Sequence, residues 1–226
     1  MAVSISKVSG DSERDSERDM TTPAPHKLRI EDIAAHPQFR RLATLRGVPH
    51  DLRYAGRNNF AGVELYRGMD CAWLRVEAAA GLEAAAAWLA RRRPGWQILV
   101  LDALRPQRVQ EVIWQDVAGT AMEHYFANPQ RGSIHSFGMA VDVTLLDVQG
   151  READMGSGFD EMAPASHPAL HTQHLKSGVL KPGHVAEREC LAAAMAHGGF
   201  HGIATEWWHF DHGDRDVVRR AWPRVV

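Results

Sequence analysis

The amino-acid sequence predicts a single α+β domain built on a mainly antiparallel sheet flanked by helices. Three observations carry that expectation. The chain has 226 residues, and at roughly 100–200 residues per domain this is one large domain, or one domain with a tail. Its composition, 45% hydrophobic and 24% charged, is that of an ordinary globular chain able to bury a core. Short β-rich runs are interspersed with helical patterns, without the regular βαβ alternation of a doubly wound parallel sheet.

Each element follows from a local pattern. Residues 1–26 hold a tandem DSER repeat, no aromatic residue and little apolar content, so they cannot offset the entropy of ordering and are expected to form a disordered tail. Met20 follows the repeat and suggests itself as the biological start. The folded domain is expected over residues 27–226. Within it, residues 69–93 read as a helix, because Leu74, Ala78, Leu82, Ala85, Trp88 and Leu89 recur near helical spacing. Arg91, Arg92 and Arg93 suit the negative end of that helix, and Pro94-Gly95 stops it. Residues 97–104 are short and rich in Ile, Val and Leu, as a buried strand is. Arg105 stands at its end, and Pro106 opens a second helix running to about Val117. Beyond a loop carrying Asn128-Pro129 and Gly132, residues 139–146 alternate as a strand with Ala140, Asp142 and Thr144 on one face. Residues 147–183, with several Gly and Pro, read as a long loop of the kind that is usually functional or disordered. A helix over 184–197 ends at Gly198-Gly199, and 204–212 is an aromatic strand candidate.

Charge and composition exclude several functions. The 26 Lys+Arg against 28 Asp+Glu leave a formal net charge of −2, so no global field draws the chain to nucleic acid or to anionic lipid. Cys71 and Cys190 are too few for a disulfide framework or a Cys-based zinc site, and read as small buried hydrophobes. No run approaches the ~20 apolar residues of a membrane helix, and no apolar signal-peptide core is visible near the N-terminus, so a cytoplasmic location is expected. Motifs of serine hydrolases, P-loop enzymes and dinucleotide-binding proteins are absent, as is HEXXH.

What remains is a set of polar residues where strands end or bend. Asp102 and Arg105 form one group, the segment from Ser133 to Asp142 a second, and Glu206-Trp207-Trp208-His209 a third. A catalytic zinc site needs three N or O ligands and one open position, and His135, Asp142 and His209 could supply them. Glu206 would then be free to act as a base. Taken singly, each residue has an ordinary structural reading: a packed histidine, a capping aspartate, a surface glutamate, an arginine paired with a helix acid, core tryptophans. With 13 histidines, accidental spacings also arise; His167, His171 and His174 at i, i+4 and i+7 form a rival ligand set, although Pro168 and Gly178 argue against a stable helix there.

The order of the motifs narrows the choice. Ser133-x-His135-x-x-Gly138-x-Ala140-x-Asp142, followed by Glu206-x-x-His209, resembles the zinc signature of the D-Ala-D-Ala-cleaving peptidases and their hedgehog-like relatives. With Asp51-Leu52-Arg53-Tyr54, Asn59-Phe60-x-Gly62, Asp102-x-x-Arg105-Pro106 and Met155-Gly156-Ser157-x-Phe159-Asp160, the chain resembles the D-alanyl-D-alanine dipeptidases associated with vancomycin resistance, from about Asp51 to Phe210. The resemblance implies a hedgehog/D,D-peptidase-like fold, one Zn²⁺ held by His135, Asp142 and His209, Glu206 as catalytic base and Arg105 as the stabiliser of the tetrahedral intermediate. It further implies that Asp160 receives the dipeptide's free amino group and that Ser133 and Tyr54 contact substrate. Ala103-Leu104 and an apparently shortened 119–132 depart from the family pattern, which bears on the pocket rim. The expected partner is a small dipeptide, with no nucleic acid or membrane and with the oligomeric state open. The alternatives are a D,D-carboxypeptidase or peptidoglycan endopeptidase of the same superfamily, or a non-catalytic zinc-binding module. Strand parity would put Glu206 and His209 on opposite faces, so a bend near Trp207-Trp208 is required for both to serve one site.

Overall fold

The computed structural model describes residues 27–226, so the tail expected over 1–26, with Met20, lies outside the described residues. The α+β expectation holds. The central sheet has four antiparallel strands in the order β3-β4-β6-β5, namely β3 (Gln97–Asp102), β4 (Ala140–Leu146), β6 (His209–His212) and β5 (Phe200–Gly202). A second, two-stranded sheet pairs β1 (Phe39–Arg41) with β2 (Trp73–Arg75). The helices are α1 (Val76–Arg92), α2 (Gln107–Val117), α3 (His171–Ser177), α4 (Pro182–His197) and α5 (Arg215–Ala221).

Helices α1 and α4 pack against each other, α1 on β3 and α4 on β4 and β5. Leu82, Leu89, Ile98, Val141, Val143, Leu191, Phe200 and Trp208 are among the buried side chains of that core. A second apolar cluster, including Tyr54, Tyr66, Leu104 and Ile113, packs the N-terminal turns around α2. Cys71 is buried and Cys190 half-buried, both as free thiols. Among the described residues, no helix is long and apolar enough to cross a membrane.

Several boundaries differ from the sequence expectation, each for a physical reason. The helix expected over 69–93 begins only at Val76, because the Arg75 amide donates to Gly138 O (2.9 Å) and the Val76 amide to Gln38 O (3.0 Å), holding the preceding residues extended. Leu74 fits the helical period but is buried on β2 instead. The strand expected over 97–104 ends at Asp102, where Ala103 turns its carbonyl to another partner. The expected 204–212 strand is reduced to His209–His212, and Phe200–Gly202 forms the unforeseen edge strand β5. Residues 147–183 contain the helix His171–Ser177, contrary to expectation. That region is tied down by Arg188 of α4, which donates to Met155 O (2.7 Å), Ala165 O (2.9 Å) and Ser157 Oγ (3.0 Å). A buried cation with its donors matched to carbonyls orders a segment that its own sequence does not.

One irregularity positions chemistry. Val100 pairs with Val143, but Asp102 pairs with Asp142, so the register shifts by one at Leu101. Such a bulge re-aims a side chain, and here it sets two carboxylates side by side across β3 and β4.

Candidate active site

His135 sits in the 3-10 turn Ile134–Phe137, which Gly138 ends at φ 70° before the chain enters β4. A Cβ at Gly138 would lie 2.8 Å from the Phe39 ring, so this position requires glycine both for its left-handed backbone and for its close packing. The turn aims the His135 ring inward, where its Nδ1–H donates to Ala103 O at 2.7 Å. Its Nε2 is thereby left with a free lone pair. Asp142 on β4 lies directly across from His209 on β6. His209 Nδ1 is 3.0 Å from Asp142 Oδ1 and 3.1 Å from His135 Nε2, while His209 Nε2 is bonded to Asp211 Oδ1 at 2.9 Å. Asp211 in turn pairs with Arg215 of α5.

The three side chains therefore present two imidazole nitrogens and one carboxylate oxygen to a common point, all within 4.8 Å of one another. Each imidazole has its other nitrogen anchored to an acceptor, the arrangement that fixes tautomer and ring orientation in metal-ligating histidines. Two histidines plus one carboxylate fit a tetrahedral divalent cation with one position open. Among the described residues this is the one grouping of three such side chains that converges. The rival set does not: His167 bonds Tyr125 Oη (2.8 Å), His174 bonds Pro164 O (2.9 Å) and His171 lies beside Arg188 (3.3 Å). Helix α3 begins at His171, so His167 lies outside it, and His171 and His174, which share that helix, are engaged by different partners.

The required bend is present. Residues 204, 205, 207 and 208 are bends rather than strand, and His209 opens β6. Trp207 and Trp208, both buried, hold it, with Trp207 Nε1 donating to Ser157 Oγ at 3.0 Å and Trp208 edge-on to Phe159. Glu206 is thereby turned into the cavity that His135, Asp142 and His209 line. Burial pushes its carboxyl up to about 7, with His209 drawing it down and Asp142 pushing it up by smaller amounts.

Arg105 leaves β3 beside the paired carboxylates. Its Nε and Nη2 donate to Asp102 Oδ2 at 2.9 and 2.7 Å, and Nη2 lies 3.4 Å from Asp142 Oδ2. The guanidinium stacks on Tyr54, 4.7 Å from the ring centroid, and Tyr66 donates to the same Asp102. One cation thus balances the two carboxylates that the bulge brings together. Asp160 lies in the same cavity in the left-handed conformation (φ 58°), accepting from the Phe60 amide (3.2 Å) and Tyr54 Oη (3.4 Å). Burial, then Asp142, holds its carboxyl well above the usual range. It makes no ion pair among the described residues. Ser133 is buried at the start of the His135 turn and also lines the cavity, whose volume is about 440 Å³.

All eight residues singled out in the sequence (His135, Asp142, His209, Glu206, Arg105, Asp160, Ser133 and Tyr54) thus line one cavity. Sequence reading missed Asp211, although its i+2 spacing from His209 on a strand was the available signal. It also missed Tyr66, which donates to Asp102, and Tyr125, which lines the cavity and bonds His167, for which no local pattern exists.

The family model described as D-ala-D-ala dipeptidase, Peptidase M15, matches residues 38–225. The chain is 37% identical over 161 residues to the D-alanyl-D-alanine dipeptidase of Escherichia coli (strain K12), covering 71% of this chain and 77% of that one. It is 32% identical over 180 residues to the protein of that name from Synechocystis sp. (66% and 73% covered) and 30% identical over 185 residues to that of Streptomyces coelicolor (73% and 85% covered). Among solved structures it is similar to that of the LdcB LD-carboxypeptidase, at 13% identity and a TM-score of 0.38 over 69% of this chain and 72% of that one. The chain is therefore a peptidase, and belongs to the D-ala-D-ala dipeptidase family.

Proposed function

We propose that residues 27–226 form a zinc-dependent dipeptidase that hydrolyses D-alanyl-D-alanine to two D-alanines. The observation that carries the reading is the convergence of His135, Asp142 and His209 beside a buried Glu206 and a buried Arg105 in one cavity. A Zn²⁺ ion held by those three ligands would polarise the scissile carbonyl and acidify the attacking water. Glu206, whose burial raises its proton affinity to about 7, takes the proton from that water and returns it to the leaving amine. Arg105 keeps its charge against the developing oxyanion, a contribution whose loss typically costs about 10²–10³ in rate. Asp102 holds that guanidinium with two hydrogen bonds.

Asp160 supports a dipeptide over a longer peptide. Buried with no cationic partner among the described residues, its carboxyl favours the neutral form, and the free ammonium of a dipeptide supplies the charge that stabilises its ionised form, where an acylated nitrogen would not. Ser133 and Tyr54 flank the same space and contact substrate. The lack of an ion pair at Asp160 supports the dipeptidase over a D,D-carboxypeptidase or endopeptidase. The retained Glu206 and Arg105 speak against a non-catalytic zinc module, since a structural zinc needs a fourth protein ligand and no base.

The test is release of D-alanine from D-Ala-D-Ala by the purified protein, with L-Ala-L-Ala and N-acetyl-D-Ala-D-Ala as parallel substrates and Glu206→Ala as control. Cleavage of the free D,D-dipeptide alone, lost in the variant, is expected. Activity confined to the acetylated peptide would move the assignment to a carboxypeptidase, and zinc binding without hydrolysis of any substrate to a binding module.

A further inference from the structure

The cavity has a cationic mouth that the catalytic chemistry leaves unused. Arg131, Arg215 and Arg219 line it on one side, and Arg131 and Arg215 continue into an adjoining groove beside Ile203 and Asp214. The two helix arginines have partners: Arg215 pairs with Asp211, while Arg219 pairs with Asp216 at 3.4 Å and donates to Gly132 O at 3.3 Å. Arg131 is exposed and makes no ion pair among the described residues.

Its backbone, by contrast, is held firmly. The Arg131 and Gly132 amides donate to Asn128 O at 3.0 and 3.1 Å, and the Gln130 amide to Asn128 Oδ1 at 2.9 Å. Side chains from α2 and from the segment after α5 grip the same turn, with Gln107 Nε2 and Arg224 Nη1 both donating to Pro129 O at 3.0 and 3.1 Å. Three guanidinium groups share this mouth, close enough that Arg131 and Arg215 add to burial in lowering the Arg219 pKa. Like charges gathered on a rigid support, one of them unpaired, are the electrostatic complement of an anion.

We propose that Arg131, backed by Arg219, binds the C-terminal carboxylate of the substrate and so selects peptides that end in a free acid one residue beyond the scissile bond. The inference rests on the dipeptidase reading. A dipeptide is a zwitterion; Asp160 answers its ammonium, and Arg131 answers the opposite charge, so the cavity measures length by charge at both ends. Arg suits the task because its fork binds a carboxylate through two parallel hydrogen bonds.

The experiment compares metal-loaded wild type, Arg131→Ala and Arg131→Lys on D-Ala-D-Ala and on its C-terminal amide. Wild type is expected to favour the free acid by about tenfold or more in kcat/KM, as a charge-assisted hydrogen bond provides. Arg131→Ala loses that margin through KM, with kcat and amide turnover little changed, and Arg131→Lys restores part of it. An acid-to-amide ratio equal in wild type and Arg131→Ala, or a loss confined to kcat, overturns the proposal. Calorimetric titration of Glu206→Ala protein, with and without Arg131→Ala, reads the same discrimination without turnover. Hydrolysis with no Arg131 effect sinks this inference alone, whereas Arg131-dependent binding without wild-type hydrolysis sinks the dipeptidase reading alone.

Discussion

Glu206 carries a conflict between stability and chemistry. Removing a carboxylate from water disfavours its charge, and burial here raises its pKa from 4.5 to about 7. A base works only when deprotonated, so kcat/KM falls as pH drops through that pKa. A cation at the neighbouring cluster draws the value down, so the acidic limb of the pH profile of the metal-loaded enzyme is expected no higher than about 7. An acidic limb that stays in place in Glu206→Gln, with kcat/KM unchanged, would remove Glu206 from the base's role. Asp160 offers a second measurement. At φ 58°, asparagine is better tolerated than alanine, so Asp160→Asn deletes the charge and keeps the backbone. It should lower kcat/KM for the free dipeptide by on the order of 10²-fold, as truncation of a buried ion-pair partner does, with metal content unchanged. Full activity in that variant would refute the ammonium assignment. At this scale the sequence was most legible, because His135, Asp142, Glu206 and His209 fall within two short motifs. Asp211 and Arg131 were not, since their roles depend on a ring nitrogen's second partner and on which wall of the cavity a turn occupies.

Between elements, α1 meets the end of α4 backbone to backbone. A Cβ on Gly81 would stand 2.3 Å from Gly198 O, and one on Gly198 2.2 Å from Gly81 O. Backbone meets backbone, so neither side can yield by rotating a side chain. Gly81→Ala should therefore destabilise the protein by about 1–2 kcal/mol in urea unfolding, because overpacking of about 1–3 kcal/mol outweighs the ~1 kcal/mol that alanine gains in a helix. Gly183→Ala in α4, with nothing within 4 Å of its Cβ, is the control and should be neutral or stabilising. A stabilised Gly81→Ala protein would show that the helices separate freely. The same distinction explains which elements could be read. The long apolar period of α1 was legible, but its start was not, since β2 is defined by hydrogen bonds to Gln38 and Gly138, distant in sequence. β5 is three residues long and exists only by pairing with β6. Helix α3 forms between Pro168 and Gly178 because Arg188 and tertiary packing order the segment, which no local propensity could reveal.

For the whole molecule, the cluster of His135, Asp142 and His209 is where separate parts of the chain are tied together. His135 comes from a turn, Asp142 from a central strand and His209 from the strand beyond it, the last reached only after α3, α4 and β5. Sequence pattern predicted one domain and an antiparallel sheet, but not the order β3-β4-β6-β5, because strand neighbours distant in the chain leave no periodic trace. That topology makes the site a property of the folded state alone: the unfolded chain presents no converged set. A cation bound there stabilises folding by RT ln(1 + [L]/Kd), about 4 kcal/mol at a thousandfold excess over Kd. For a domain of this size, 1 kcal/mol is worth about 2–4 °C. Thermal unfolding after chelation should thus fall on the order of 10 °C and recover with added Zn²⁺. Asp211→Asn, which weakens the anchor of His209 while leaving all three ligands, should need about 10–100-fold more free Zn²⁺ for the same recovery. An unfolding midpoint indifferent to chelator and to zinc would mean that the three side chains converge for a reason other than metal.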